Sequence, residues 1–261
     1  MMVPKDTHLT LPNESIGAPS GGRAPLTWGA TSCRLRTILR RGFLTWNDLE
    51  GVAQMARDEE RLQRSQEEPI VGGLPDVPGI LAAIRLTPGL GIHLRGLADE
   101  LLVNDFPGAT ISRGEREMLA TAVSAANDCF YCMDSHGAFA RAVLERSGVT
   151  GLERLIDGIK SGSSDGLDDK MRALLHIVRT VRREPRDLTA ADVATAQAAG
   201  ATDADVQLAV LIAAAFSMYN RMVEGFRAKT PPTAEAFRVR AAEIAEHGYS
   251  DQRVTAVPGR T

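Results

Sequence analysis

Residues Asn127 to His136 read NDCFYCMDSH, with two cysteines three residues apart and a histidine four beyond the second. If this stretch is helical, a turn of about 100° per residue sets Cys129, Cys132 and His136 at about 0°, 300° and 340°, within one arc of roughly 60°. Three such side chains on one face can carry out thiol redox chemistry. A cysteine in a first helical turn faces unpaired backbone N–H groups and the positive end of the helix dipole, and both favour thiolate over thiol. Cysteine pKa values in CxxC motifs fall from about 8.5 to roughly 3.5–7.5, so the expectation is a standing nucleophile at neutral pH. His136, one turn past Cys132, is spaced to take or return a proton. Asp128 would oppose the thiolate if its carboxylate faced the sulfur, so it is expected to turn away and cap backbone N–H groups.

Two other chemistries use the same residues. The cysteines could be inert core thiols beside a capping or core histidine, since free cysteine often serves as a small apolar residue. They could also supply three ligands to zinc, although no second CxxC or paired histidine completes the tetrahedral set of a structural site. Glu117 lies twelve residues before Cys129, with Ala120, Thr121 and Ser124 along its own face. On a helix packed beside the CxxC helix, it would put a carboxylate where His136 needs a proton partner. A first-turn glutamate equally complements a helix dipole.

These side chains need a helical scaffold. From Pro78 onward apolar residues recur at helical spacing, and no stretch alternates at period two for long enough to make a strand, so the fold class is all-α. Ser112 and Glu115 form a capping box ahead of Met118, Leu119, Ala122, Val123 and Ala126, predicting a helix that ends near Asn127. The next helix is expected to start at Asn127 or Asp128, carry the CxxC in its first turn, and stop at Gly148. GLERLIDGIK, DDKMRALLHIVRTVRREP, LTAADVATAQAAG capped by Thr189, DADVQLAVLIAAAFSMYNRMVEGF opened by Thr202, and TAEAFRVRAAEIAEH follow as helices. They complete a domain over residues 71–250. Residues 1–70 read as an extension: disordered to about residue 30, where Pro, Gly, Ser and Thr cannot offset ordering entropy, then a charged helix capped by Asn47 or Asp48. Residues 251–261 read as a flexible tail.

The 261 residues carry a net charge of -3, with 24% charged residues, so no basic footprint points to nucleic acid or a membrane surface. Three cysteines are too few for a secreted disulfide scaffold. No secretory signal is read at the start, and LAVLIAAAF falls short of the about 20 apolar residues that a bilayer needs. The expected setting is cytoplasmic, with neither a membrane nor a nucleic acid as partner.

The stretch SRGEREMLATAVSAANDCFYCMDSH resembles the alkylhydroperoxidase D-like group of the carboxymuconolactone decarboxylase superfamily, particularly its peroxidase-related branch. The shared features are a glutamate on one helix, then AVS, Asn, CxYC and a histidine four residues on. FSMYNRMVEGF, Phe216 to Phe226, adds the Asn-Arg pair that such proteins often carry in their last core helix. With PGLGIHLRGLADELL, the similarity covers about residues 75 to 230. It implies an alkylhydroperoxidase D-like helical bundle with the CxxC at a helix N-terminus, self-assembly into trimers or hexamers, and reduction of peroxides or disulfides without metal or organic cofactor. By this resemblance Cys132 attacks the peroxide and Cys129 condenses with the resulting sulfenic acid. An external dithiol or disulfide reductant then resets the pair, while His136 and Glu117 relay protons. Tyr131 departs from the pattern: the best-characterised peroxidases of the group have histidine there, and tyrosine, with an ordinary pKa near 10, donates a hydrogen bond but is a poor base. The cysteine pair argues against the lactone chemistry of the decarboxylase branch.

Tyr131, Ser124, Asn220 and Arg221 are candidate supporting residues. Arg221, so close to nine apolar residues, is expected to be partly buried and paired with a carboxylate, bracing two helices or a subunit contact. His176 is expected to be a satisfied core histidine, His93 could approach the site from the upstream helix, and Cys33 stands alone. The rival to catalysis is a redox-sensing or partner-binding helical oligomer, with the charged N-terminal arm as its contact.

Overall fold

The computed structural model describes residues 46–250; Cys33, the first 45 residues and the tail from residue 251 lie outside them. The chain divides into a unit ending at Ala53 and a unit of Gln54–Thr261, and the second carries the site. Among the described residues every regular element is helical: α1 Trp46–Ser65, α2 Ile80–Leu86, α3 Pro88–Leu102, α4 Arg113–Ala126, α5 Phe130–Arg146, α6 Leu152–Lys160, α7 Asp169–Arg183, α8 Ala190–Ala198, α9 Asp203–Gly225 and α10 Arg238–His247. The all-α class read from periodicity is the observed one.

Side chains fix the starts of these helices. Ser112 accepts from the Glu115 N–H while Glu115 takes the Ser112 N–H; Thr189 with Asp192 and Thr202 with Asp205 repeat the box, and Asp168 caps α7 by accepting from the Met171 N–H. Such caps contribute about 1 kcal/mol each. Asp205 does more than cap α9. It also accepts from Thr110 N (2.6 Å), Ile111 N (3.0 Å) and Thr110 Oγ1 (2.7 Å), tying the turn ahead of α4 to the start of α9. Burial pulls its carboxyl pKa up, but these bonds and that from Thr202 outweigh burial and hold it at about 2.

Helix α4 lies at the centre, packed on α5, α7 and α9. Its Leu119 and Val123 join Leu174 and Ile177 of α7 and Leu208 and Ile212 of α9 in one apolar core. Among the described residues α9 alone is long and apolar enough to cross a membrane. Of its apolar window 56% is buried inside the protein, the pattern of a core helix.

Several expectations are corrected. Helix α5 begins at Phe130 with Cys129 as its N-cap, not at Asn127 or Asp128, because Asp128 takes a left-handed φ of 54° that no helix continues. The exposed Asp128 side chain makes no cap bond, so its predicted capping role is wrong. Helix α1 begins at Trp46, which leaves Asn47 and Asp48 inside its first turn. TAEAF forms a short 3-10 turn, Ala234–Phe237, ahead of α10. His176 is exposed and pairs through Nε2 with Asp192 Oδ1 at 3.0 Å, because the buried face of α7 runs through Leu174, Leu175, Ile177 and Val178. His93 is exposed and does not line the site. Arg221 is exposed as well, and its Nη1 donates to its own helix at Ser217 O (2.8 Å).

Candidate functional site

Cys129 at the N-cap and Cys132 in the first turn of α5 are both free thiols, and both are buried. The turn before them is braced from behind. Asn127 Nδ2 donates to Asn220 Oδ1 (2.8 Å), Asn220 Nδ2 donates to Ser124 Oγ (3.1 Å), and Arg182 Nε donates to Asn127 Oδ1 (2.7 Å). Arg182 also caps the Ala126 carbonyl. Two of the supporting candidates, Asn220 and Ser124, therefore sit in the brace behind the cysteines, and Arg221 does not.

The helix terminus does not win at Cys129. Its hydrogen bond to Cys132 comes first, then burial, then the charges of Cys132 and Glu224; together they push this thiol well above its ordinary value. The Cys132 backbone N–H pulls the other way and is outweighed. Cys129 is thus a protonated donor to Cys132, which corrects the expectation that a first-turn position would ionise it.

Glu117 and His136 meet as the spacing predicted. Glu117 is completely buried, with Oε2 2.7 Å from His136 Nδ1. Its other oxygen, Oε1, accepts from the Tyr249 hydroxyl at 2.6 Å, and that hydroxyl lies 3.3 Å from Nδ1. A carboxylate accepting from both leaves the imidazole proton on Nδ1 and the lone pair on Nε2. The ring is fixed by edge contacts from Phe216 (4.6 Å between centroids) and Phe139 (5.3 Å), and Tyr249 stacks at 6.1 Å.

Tyr249 was not legible in the sequence, since it lies beyond the last helix. Asp99 of α3 holds it in place by accepting from Tyr249 N (2.6 Å) and Ser250 N (2.8 Å). Gly248 makes the turn at φ 75°, and a Cβ there would sit 2.9 Å from Asp99 Oδ1. Burial first, then the Glu117 carboxylate, push the Tyr249 phenol well above its ordinary value, so it stays a donor.

Cys132, His136, Tyr249 and Tyr131 line a narrow cavity of about 50 Å³. A site needs roughly 10–15 Å³ of this kind to hold one water, so a small peroxide fits. The Tyr131 ring lies on Gly79, where any Cβ would overlap it, and makes an edge contact with Phe237 at 5.4 Å. Burial pushes its phenol up to about 12, so Tyr131 is a neutral donor and no base.

A second carboxylate stands on the Cys129 side. Glu224 of α9 lies beside Cys129 and pairs with Arg64 of α1; burial raises its carboxyl although Arg64 and Cys129 oppose the rise. Arg61 Nε bonds the buried Asp134 Oδ2 at 2.8 Å, and Lys160 Nζ bonds Oδ1 at 3.0 Å. The Arg61 and Arg64 guanidinium groups lie 5.6 and 5.5 Å from the Phe130 ring centre. Among the described residues no three His, Cys, Asp or Glu side chains gather as metal ligands.

A sequence profile of the carboxymuconolactone decarboxylase family matches residues 97–147, which hold Glu117, both cysteines and His136. No curated protein matches the chain. A crystal structure of a peroxidase-related protein from Silicibacter sp. TM1040 superposes with a TM-score of 0.53 at 24% identity, covering 66% of this chain and 93% of that one. A peroxidase-related protein from Ralstonia eutropha JMP134, described as an alkylhydroperoxidase AhpD core, gives 0.53 at 25% identity, covering 71% and 89%. The helical order, the buried cysteine pair and the Glu117–His136 contact thus sit on an alkylhydroperoxidase D-like fold, and residues 97–147 are similar to the carboxymuconolactone decarboxylase family.

Proposed function

We propose that the protein is a thiol-dependent peroxidase. The observation that supports this most is the hydrogen-bonded Glu117–His136–Tyr249 triad on the same small cavity as Cys132. His136 Nε2 takes the Cys132 proton, and the sulfur attacks the terminal oxygen of a hydroperoxide. The O–O bond breaks, the proton returns to the departing alkoxide, and Cys132 becomes a sulfenic acid. Cys129, kept as a thiol beside it, condenses with the sulfenic acid, releasing water and forming the disulfide. An external dithiol then reduces that disulfide by exchange, becoming a disulfide itself. Glu117 and Tyr249 act through His136 by holding its tautomer. No metal or organic cofactor enters these steps.

Peroxide consumption with a panel of dithiols tests the assignment, using wild type, Cys132→Ser and Cys129→Ser. Turnover is expected to vanish in both variants, with one fast sulfenate-forming event surviving in Cys129→Ser. A surviving event in Cys132→Ser instead would reverse the roles of the sulfurs. One observation favours the sensor reading: Arg64 of the charged arm pairs with Glu224 beside Cys129, so oxidation removes a thiol partner next to that contact. Sulfenate formation no faster than for a free thiol would select that reading.

Assembly into a homo-oligomer belongs to the same proposal. Leu211 and Met218 stand exposed on one face of α9, and Leu90, Ile92 and Leu97 are exposed on α3.

A further inference from the structure

The cavity at Cys132 has walls that a neutral peroxide does not need. Besides the relay it is lined by Arg95 of α3 and Arg240 of α10, set among Ile84, Leu94 and Phe139. Arg95 Nε is buried and makes no hydrogen bond among the described residues. An orphaned buried donor of this kind destabilises the fold unless an acceptor reaches it. Burial, then the charges of Arg240 and Arg85, push the Arg95 guanidinium below its ordinary value. The charge of Arg240 also reaches the phenols of Tyr131 and Tyr249, which places it over the same cavity. A buried guanidinium N–H with no acceptor among the described residues, as at Arg95 Nε, is unfavourable until an anion meets it.

We propose that the cavity selects short organic hydroperoxides that carry a carboxylate, with the peroxide end at Cys132 and the carboxylate held by Arg95 beside Arg240. This rests on the peroxidase reading. A guanidinium offers paired donors that match a carboxylate, Nε among them, and the apolar walls take the carbon chain. The narrow cavity, about 50 Å³, favours a chain of a few carbons. Chemistry at the sulfur is as above: the O–O bond breaks, the terminal oxygen passes to Cys132, the alcohol leaves, and the carboxylate is unchanged.

The probes are γ-hydroperoxyisocaproate, a tertiary hydroperoxide with a carboxylate arm, and its methyl ester, which has nearly the same shape without the charge. Wild type is expected to prefer the acid in kcat/KM by roughly tenfold or more, mainly through KM. In Arg95→Gln the ratio falls toward one, and Arg95→Lys, which keeps the charge, recovers part of it. A second measurement needs no turnover: isocaproate, which has no peroxide group, slows labelling of Cys132 by N-ethylmaleimide in wild type and not in Arg95→Gln. Equal rates for acid and ester in wild type, or isocaproate without effect on labelling, overturn the proposal. Protection through Arg95 without turnover of any hydroperoxide would instead remove the peroxidase reading and leave the carboxylate site standing.

Discussion

Glu117, itself completely buried, gathers two donors, His136 and Tyr249, so each of its oxygens matters. Replacing it by Gln puts an amide against Nδ1 and frees the imidazole to adopt the other tautomer. Peroxide turnover is expected to fall about a hundredfold, in keeping with general acid–base contributions, while the CxxC disulfide still forms with strong oxidants. Steady-state kinetics with hydrogen peroxide checks this, and unchanged turnover would remove Glu117 from the relay. Tyr249→Phe keeps the ring and removes one hydrogen bond, so a smaller loss of roughly tenfold is expected. For Cys129, the raised pKa means that the thiol form persists through neutral pH and is lost only well above the ordinary cysteine range. Alkylation of Cys129 at pH 8, followed by peptide mass spectrometry, should be at least roughly tenfold slower in the native protein than in the unfolded chain. Equal rates would mean that the sulfur is neither buried nor hydrogen-bonded. The cysteines, His136 and Glu117 were legible because one helix and its neighbour hold them within twenty residues. Tyr249, beyond the last helix, and Glu224 of α9 reach the cysteine region from far along the chain, where no local spacing announces them.

At the scale of helices, Asp205 joins the entry of α9 to the turn ahead of α4, the helix that carries Glu117. Its folded pKa of about 2 lies below the unfolded value, so its stabilisation is complete above about pH 4 and is lost as pH falls toward 2. That window is worth about 2 kcal/mol. Urea denaturation between pH 5 and pH 2.5 should show a steeper loss in wild type than in Asp205→Asn, which should itself be less stable by about 2 kcal/mol at pH 7. Parallel curves would show that other carboxylates govern acid unfolding. Arg61 grips the buried Asp134 on α5, and Arg61→Ala is expected to release α1: amides of residues 55–65 should lose hydrogen-exchange protection while those of α4 keep theirs. Cap residues made most helix starts readable. The start of α5 was misplaced by two or three residues, because nothing in the letters Asn-Asp shows that Asp128 would enter the left-handed region.

For the molecule as a whole, periodicity gave the helical class and the order of the helices, since each amphipathic stripe needs only a neighbour to bury it. What it did not give is which loops and termini close over the core. Arg113, the first residue of α4, donates to the Ala245 and Ile244 carbonyls and thereby caps α10. The end of the domain is thus fastened to its middle. His176 and Arg221 failed as core residues for a related reason: a helix face that looks apolar over four residues can still turn one of them outward. If the exposed leucines of α3 and α9 meet a second copy, sedimentation should find a species heavier than 28.0 kDa, and Leu211→Glu with Met218→Glu should return it to the monomer.

Tyr249 supplies the hydroxyl of the Glu117–His136 network, and it is anchored through Gly248 and Asp99. A chain cut short before this turn would lack the phenol that completes the proposed proton path. On the proposed reading, full reactivity toward oxidants depends on a segment that follows the last helix, and a protease that nicks the Gly248 turn would uncouple that segment from the site.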